Sequence, residues 1–174
     1  MIFIVSNSVV IFILASFIVF MYKTILVPHA GTSGGDKALN HAIHIADDSS
    51  RIIILHVVEQ LQHPATFALA SSEIESLIKN INDANKSIRD EMVAEMEKKA
   101  EICKKSNVKS DIKVTIGSPA EEILKIASDR NVDLIVMAKR RKLKGVKKLL
   151  SLGSVSRKVV ENANCPVLLI DTEK

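Results

Sequence analysis

The chain has no tryptophan, one tyrosine and five phenylalanines, so aromatics make up only 3% of its 174 residues. Its core must therefore be built from Ile, Leu, Val and Ala, a composition that suits a parallel sheet covered by helices on both faces. With so few rings and no nucleic-acid motif there is no stacking platform for bases, and nucleic acid is not an expected partner. Cysteine is scarce as well: Cys103 and Cys165 stand far apart, without a Cys-x-x-Cys pattern. That argues against a disulfide framework or a zinc ribbon and for free thiols in a reducing, cytoplasmic setting. The five histidines show no metal spacing; His41 and His44 are three apart, but no Glu or Cys completes a set. A nucleophile elbow, a Walker lysine motif and a readable Cys–His arrangement are all missing, so no dedicated catalysis is expected.

What is present begins with charge. There are 24 basic and 20 acidic residues, a net of +4. The excess is local: in "KRRKLKGVKK", residues 139–148, all but Leu143, Gly145 and Val146 are Lys or Arg. Residues 1–20, "MIFIVSNSVVIFILASFIVF", carry no charge, and their length matches the roughly 20 residues that cross a bilayer. A cleaved signal peptide fits poorly, because there is no basic start and no small-x-small end. Two readings stay open. Translation starts at Met21, where "MYKTILVP" is a natural opening for a buried strand. Alternatively residues 1–20 anchor the protein, with the domain at 21–174 facing the cytoplasm.

Along the chain, "KTILVP" (23–28), "RIIILHVV" (51–58), "DIKVTI" (111–116), "VDLIVMA" (132–138) and "CPVLLID" (165–171) read as strands. Between them lie helical patterns. The first carries Ala38, Leu39, Ala42, Ile43 and Ala46, with a cap at Ser33 to Asp36. The second is long, starts at a Ser72/Glu75 capping box, and is expected to kink or break around Asn80–Asn85. The third has Ser118 as cap, Pro119 in first position and Glu121 closing the box. The fourth is "GSVSRKVVENA" from Gly153. The order β-α-β-α-β-α-β-α-β predicts one α/β domain, an open, doubly wound, Rossmann-like parallel sheet with ligands at the carboxyl ends of its strands.

"YKTILVP", "LHVVE", "GSPAEEIL", "VDLIVM" and "GSVSRKVVENANCPVLLI" resemble the universal stress protein family, in the usual order and near the usual spacing, over about residues 21–171. The resemblance implies a five-stranded sheet of order 3-2-1-4-5. It also implies a homodimer paired through the last strand, here Val167, Leu168, Leu169 and Ile170. Some members bind ATP through Gly-x-x-Gly, nine residues, then Gly-Ser or Gly-Thr. Such glycines let the backbone approach phosphates at a helix start. This chain keeps Gly153 and Ser154, followed by Val155, and the less diagnostic Gly145. Ala138 stands in place of the first glycine and Arg141 (or Arg140) in place of the second. In the first loop, where the family often reads Asp-Gly-Ser with the Asp touching the nucleotide, the sequence is Ala30-Gly31-Thr32.

The resemblance thus implies a regulatory or protective protein with a degenerate adenine-nucleotide site. The cleft is expected among Pro28, His29, Ala30, Val57, Met137, Ala138, Gly153, Ser154 and Val155, with Arg141 and Gly145 from the basic loop. Three readings of the site stay open: ATP or AMP, with Mg only alongside it; no bound nucleotide; or another anion. Pro28, Val57 and Met137 would line an apolar pocket for the base. A lost glycine at a position needing positive φ costs about 1–2 kcal/mol, and a lost carboxylate contact about 1.5–3 kcal/mol, so binding is expected to be weak. Asp36 is read as a helix cap rather than a functional acid. Two other readings stay open: a slow ATPase or adenylyl-transfer enzyme on the same scaffold, and a docking module whose basic loop grips an acidic protein partner or a membrane surface.

Overall fold

The computed structural model describes residues 22–59, 71–139 and 152–171. Strands β1 (Thr24–Pro28), β2 (Arg51–Val58), β3 (Lys109–Ile116), β4 (Leu134–Lys139) and β5 (Val167–Asp171) alternate with helices α1 (Ser33–Ile45), α2 (Ser71–Lys105), α3 (Pro119–Asp129) and α4 (Ser154–Asn162). The strands form one parallel sheet in the order β3-β2-β1-β4-β5, as expected.

Strand alternation sorts the core into two layers. Ile25, Val27, Ile52, Ile54, Leu134 and Val136 meet α1 and α2 through Leu39, Ala42, Met96 and Cys103. Leu26, Ile53, Leu55, Ile135 and Met137 meet α3 and α4 through Ile123, Ile126 and Val159. Both faces of β1, β2 and β4 are apolar because both are covered, which is why these strands read as continuous Ile/Leu/Val runs. β3 and β5 are the edges and are only half-buried.

The sheet is stitched unevenly. β1 pairs with β2 over five residues, Thr24↔Arg51 to Pro28↔Leu55. Its ladder with β4 holds two pairs, Ile25↔Leu134 and Leu26↔Ile135. At the amino edge this seam is tied by Asp133, whose Oδ2 accepts the amides of Lys23 and Thr24 at 3.0 and 2.9 Å, while its own amide donates to the Thr24 carbonyl at 2.9 Å. Towards the carboxyl edge the two strands run on unpaired with each other. That is also where the order of connection reverses, the place where open α/β sheets form a crevice.

Three local expectations change. α2 is one continuous helix of 35 residues. The polar run Asn80–Asn85 does not break it, because α2 gains its stability from packing Met96 and Cys103 on the sheet rather than from local propensity. α1 is capped by Thr32, not Ser33: Thr32 Oγ1 accepts the Gly35 amide at 3.4 Å. Ser118 precedes α3 but makes no side-chain cap. Among the described residues no helix is long and apolar enough to cross a membrane; residues 1–20, Arg141, Gly145 and the rest of the basic loop past Lys139 lie outside the described residues.

Candidate functional site

At the carboxyl edge, β1 ends at Pro28 and the chain turns through His29, Ala30 and Gly31 into α1. Gly31 has φ +69°, a left-handed conformation that a side chain would strain. Pro28 is half-buried and Ala30 exposed. On the α3/α4 face, Val57 of β2 and Val155 of α4 pack against the cluster that contains Met137 of β4 and Leu26 of β1. α4 leads back to the amino edge, where β5 begins beside Ile135, so its first turn lies towards the carboxyl edge of the α3/α4 face. Gly153 is its N-cap and offers no side chain; the first turn holds no acidic residue. By contrast, α1 has Asp36 and α3 has Glu121 and Glu122 in the first turn. The amides at the start of α4 and the positive end of its dipole are thus left without a carboxylate of their own, a ready place for an anion. Ser154 is exposed beside them.

Ala138 lies in β4 and has no positive φ. The strain expected from losing a glycine there is absent: an extended residue accommodates a Cβ freely.

His29 departs most from expectation. Its backbone belongs to the first loop, but its side chain turns to the α1/α2 face and is 2% exposed. The Gly31 amide donates to Nδ1 at 3.1 Å, so that nitrogen carries the lone pair. Nε2 then holds the proton and donates to Asp36 Oδ1 at 3.2 Å. The His29 carbonyl accepts from His56 Nδ1 at 2.7 Å, and its amide donates to the Leu55 carbonyl at 2.8 Å. Lys99 of α2 reaches the same Asp36 oxygen at 2.8 Å and Glu95 at 3.5 Å. Burial pushes the His29 pKa below its ordinary value, outweighing the opposing pull of Asp36. Burial raises Asp36, but the hydrogen bonds and charges of Lys99 and His29 outweigh it and hold the carboxyl below its ordinary range. The Asp36 bond raises Lys99.

Asp36 is therefore not a cap but the centre of a His29–Asp36–Lys99 bridge that ties the first loop to α1 and α2. Sequence reasoning missed Lys99 and Gly35 because no spacing joins residues 29, 36 and 99; only the fold brings them together. Among the described residues no group of His, Cys, Asp and Glu is arranged to hold a metal. His44 instead meets its own helix, Nδ1 lying 2.6 Å from the Asn40 carbonyl. Both cysteines are free, Cys103 buried and Cys165 half-buried, and burial raises both thiols above their ordinary range.

Comparison with known proteins agrees with this architecture. The family model of the universal stress protein family matches residues 21–171. Universal stress protein MJ0531 of Methanocaldococcus jannaschii is 32% identical over 155 residues, covering 88% of this chain and 85% of its own. Protein MJ0577 of the same organism is 31% identical over 157 residues, covering 86% of this chain and 95% of its own. Its solved structure superposes with a TM-score of 0.71 at 29% identity, covering 88% of this chain and 99% of its own. A family protein from Arabidopsis thaliana, solved with AMP bound, shares the fold at 18% identity and a TM-score of 0.55, over 86% of this chain and 91% of its own. With the sheet order, the two-layer core and the Gly153–Ser154 helix start all in place, the chain belongs to the universal stress protein family.

Proposed function

We propose that this protein is a regulatory binder of adenine nucleotides, AMP or ATP, without dedicated turnover. The observation that carries the reading is the uncapped, carboxylate-free start of α4, Gly153 and Ser154, above an apolar floor that includes Met137, Val57 and Val155. Phosphate would sit on the α4 amides and the base on the apolar floor. The AMP-bound relative from Arabidopsis thaliana has the same fold, which supports the choice of ligand. Ala30 removes the acidic partner that the family resemblance implies, so affinity is weak. Mg enters only with ATP.

The functional unit on this reading is a cytoplasmic homodimer joined through β5. Leu168 is 37% exposed on β5, which lies at the edge of the sheet, the position from which a strand can pair with a second copy.

Titration calorimetry on the full chain tests the nucleotide reading. AMP and Mg-ATP should each give a saturable isotherm with a dissociation constant in the range of roughly 0.1–1 mM. No saturable heat up to ~10 mM for either would rule it out. Single-turnover assays with labelled ATP should show no product release beyond the buffer rate.

A further inference from the structure

The amino edge of the sheet carries a second basic feature, distinct from the run at 139–148. A shallow, open depression of about 330 Å³ lies there, lined by Lys23 and Thr24 at the β1 end, Ser49, Arg51 and Ile53 at and just before the start of β2, Asp111 of β3 and Arg130 after α3. Register explains the gathering. Thr24 pairs with Arg51, and Arg51 with Lys109, at one level across β1, β2 and β3. Ile53 and Asp111 stand one step further in, also as a pair. α3 ends at Asp129, so it leaves this corner of the sheet uncovered and swings Arg130 over it.

The lining side chains are three cations and one carboxylate. Arg51 Nη1 spends one hydrogen bond on Asp111 Oδ2, at 3.0 Å. Among the described residues the Lys23 and Arg130 side chains have no partner. The neighbouring carboxylate, Asp133, is engaged by the Lys23 and Thr24 amides, and Ser49 Oγ donates to Asp47 at 2.8 Å. Guanidinium groups match the forked oxygens of phosphate in shape as well as charge. We infer that this depression binds a phosphate group, carried either by a lipid headgroup or by a small soluble molecule.

Position favours the headgroup as the source. The uncharged stretch 1–20 ends three residues before Lys23, and β1 enters the sheet at this same edge. Lys139, where the basic run begins, lies at the opposite edge. From Lys23 to Ile25, and from Leu134, its partner, to Lys139, is seven residues, roughly 23 Å along the strands. That is more than two screening lengths at physiological salt. A bilayer holding residues 1–20 would meet Lys23, Arg51 and Arg130 rather than Lys139.

The test uses the full 174-residue chain, wild type, R51Q/R130Q and D111N, with two probes at low salt. Glycerol 3-phosphate is titrated while backbone amide shifts are followed. Vesicles of phosphatidylcholine, with or without phosphatidylglycerol, are used in flotation. Saturable shifts at Thr24, Ser49 and Arg51, weakened at least tenfold in R51Q/R130Q, with no change at Ala30 or Ser154, identify a site for soluble phosphate. A preference for phosphatidylglycerol that R51Q/R130Q abolishes identifies a headgroup site. D111N, which removes the one carboxylate from the lining, should bind roughly threefold tighter in either assay, the effect of one unit charge at about 6 Å in water. If neither response depends on Arg51 and Arg130, or if D111N binds no tighter, the inference is wrong.

Discussion

The imidazole of His29 lies flat against Gly35: a Cβ built on Gly35 would stand 2.9 Å from each of three ring atoms. The glycine lies inside α1, where Ala would ordinarily gain about 0.5–1 kcal/mol of helix stability. The contact reverses that sign. The ring is fixed by Gly31 and Asp36 and cannot swing away, so G35A should destabilise the protein by about 1–2 kcal/mol, the cost of overpacking. In an H29A background the same change should be neutral or stabilising. Urea unfolding of the four proteins in this cycle checks it; equal effects in both backgrounds would break the link between the two residues.

The buried His29 also sets a pH dependence. Its folded pKa lies below the ordinary 6.5, so as pH falls through 6.5 the unfolded chain takes up a proton and the folded one does not. Stability should therefore drop with falling pH from about 7 to the folded pKa, with a slope of at most about 1.4 kcal/mol per pH unit. The Asp36 carboxyl is held below 3.8 and loses its contribution only in a separate, more acid window. H29Q should flatten the first window and leave the second. The readout is the urea midpoint measured from pH 8 to pH 3.

Restoring an acid to the first loop should strengthen nucleotide binding. Ala30 is exposed, so A30D buries no charge in the unliganded protein. A hydrogen bond to a charged group contributes about 1.5–3 kcal/mol, so A30D should lower the AMP dissociation constant roughly ten- to hundredfold. A30N should recover only part of that gain. Calorimetry reads both, and an A30D affinity equal to wild type would place the ligand elsewhere.

The β5 edge makes a prediction about assembly. A lysine in place of Leu168 leaves the core intact, because that side chain already faces outward, and it opposes strand pairing across the edge. Light scattering behind size exclusion should show a dimer for wild type and a monomer for L168K, a loss of at least tenfold in association.

The sheet was legible because its strands are buried on both faces. "RIIILHVV" is β2 from end to end, and five apolar runs separated by helical patterns leave little choice of architecture. Gly153 before Ser154 marked the α4 start for the same local reason, a cap and a first turn. What stayed hidden was non-local. Which face takes the His29 side chain depends on the pleat of β1, and Lys99 reaches Asp36 only because α1 and α2 share a layer. The break foreseen at Asn80–Asn85 failed because local propensity was given more weight than tertiary packing.

The two-rung ladder between β1 and β4, pinned by Asp133 at one end, leaves the carboxyl half of that seam held by packing rather than by strand pairing, with α1 resting on both strands. A molecule seated at that end would touch both strands and supply a cross-link that the ladder itself does not.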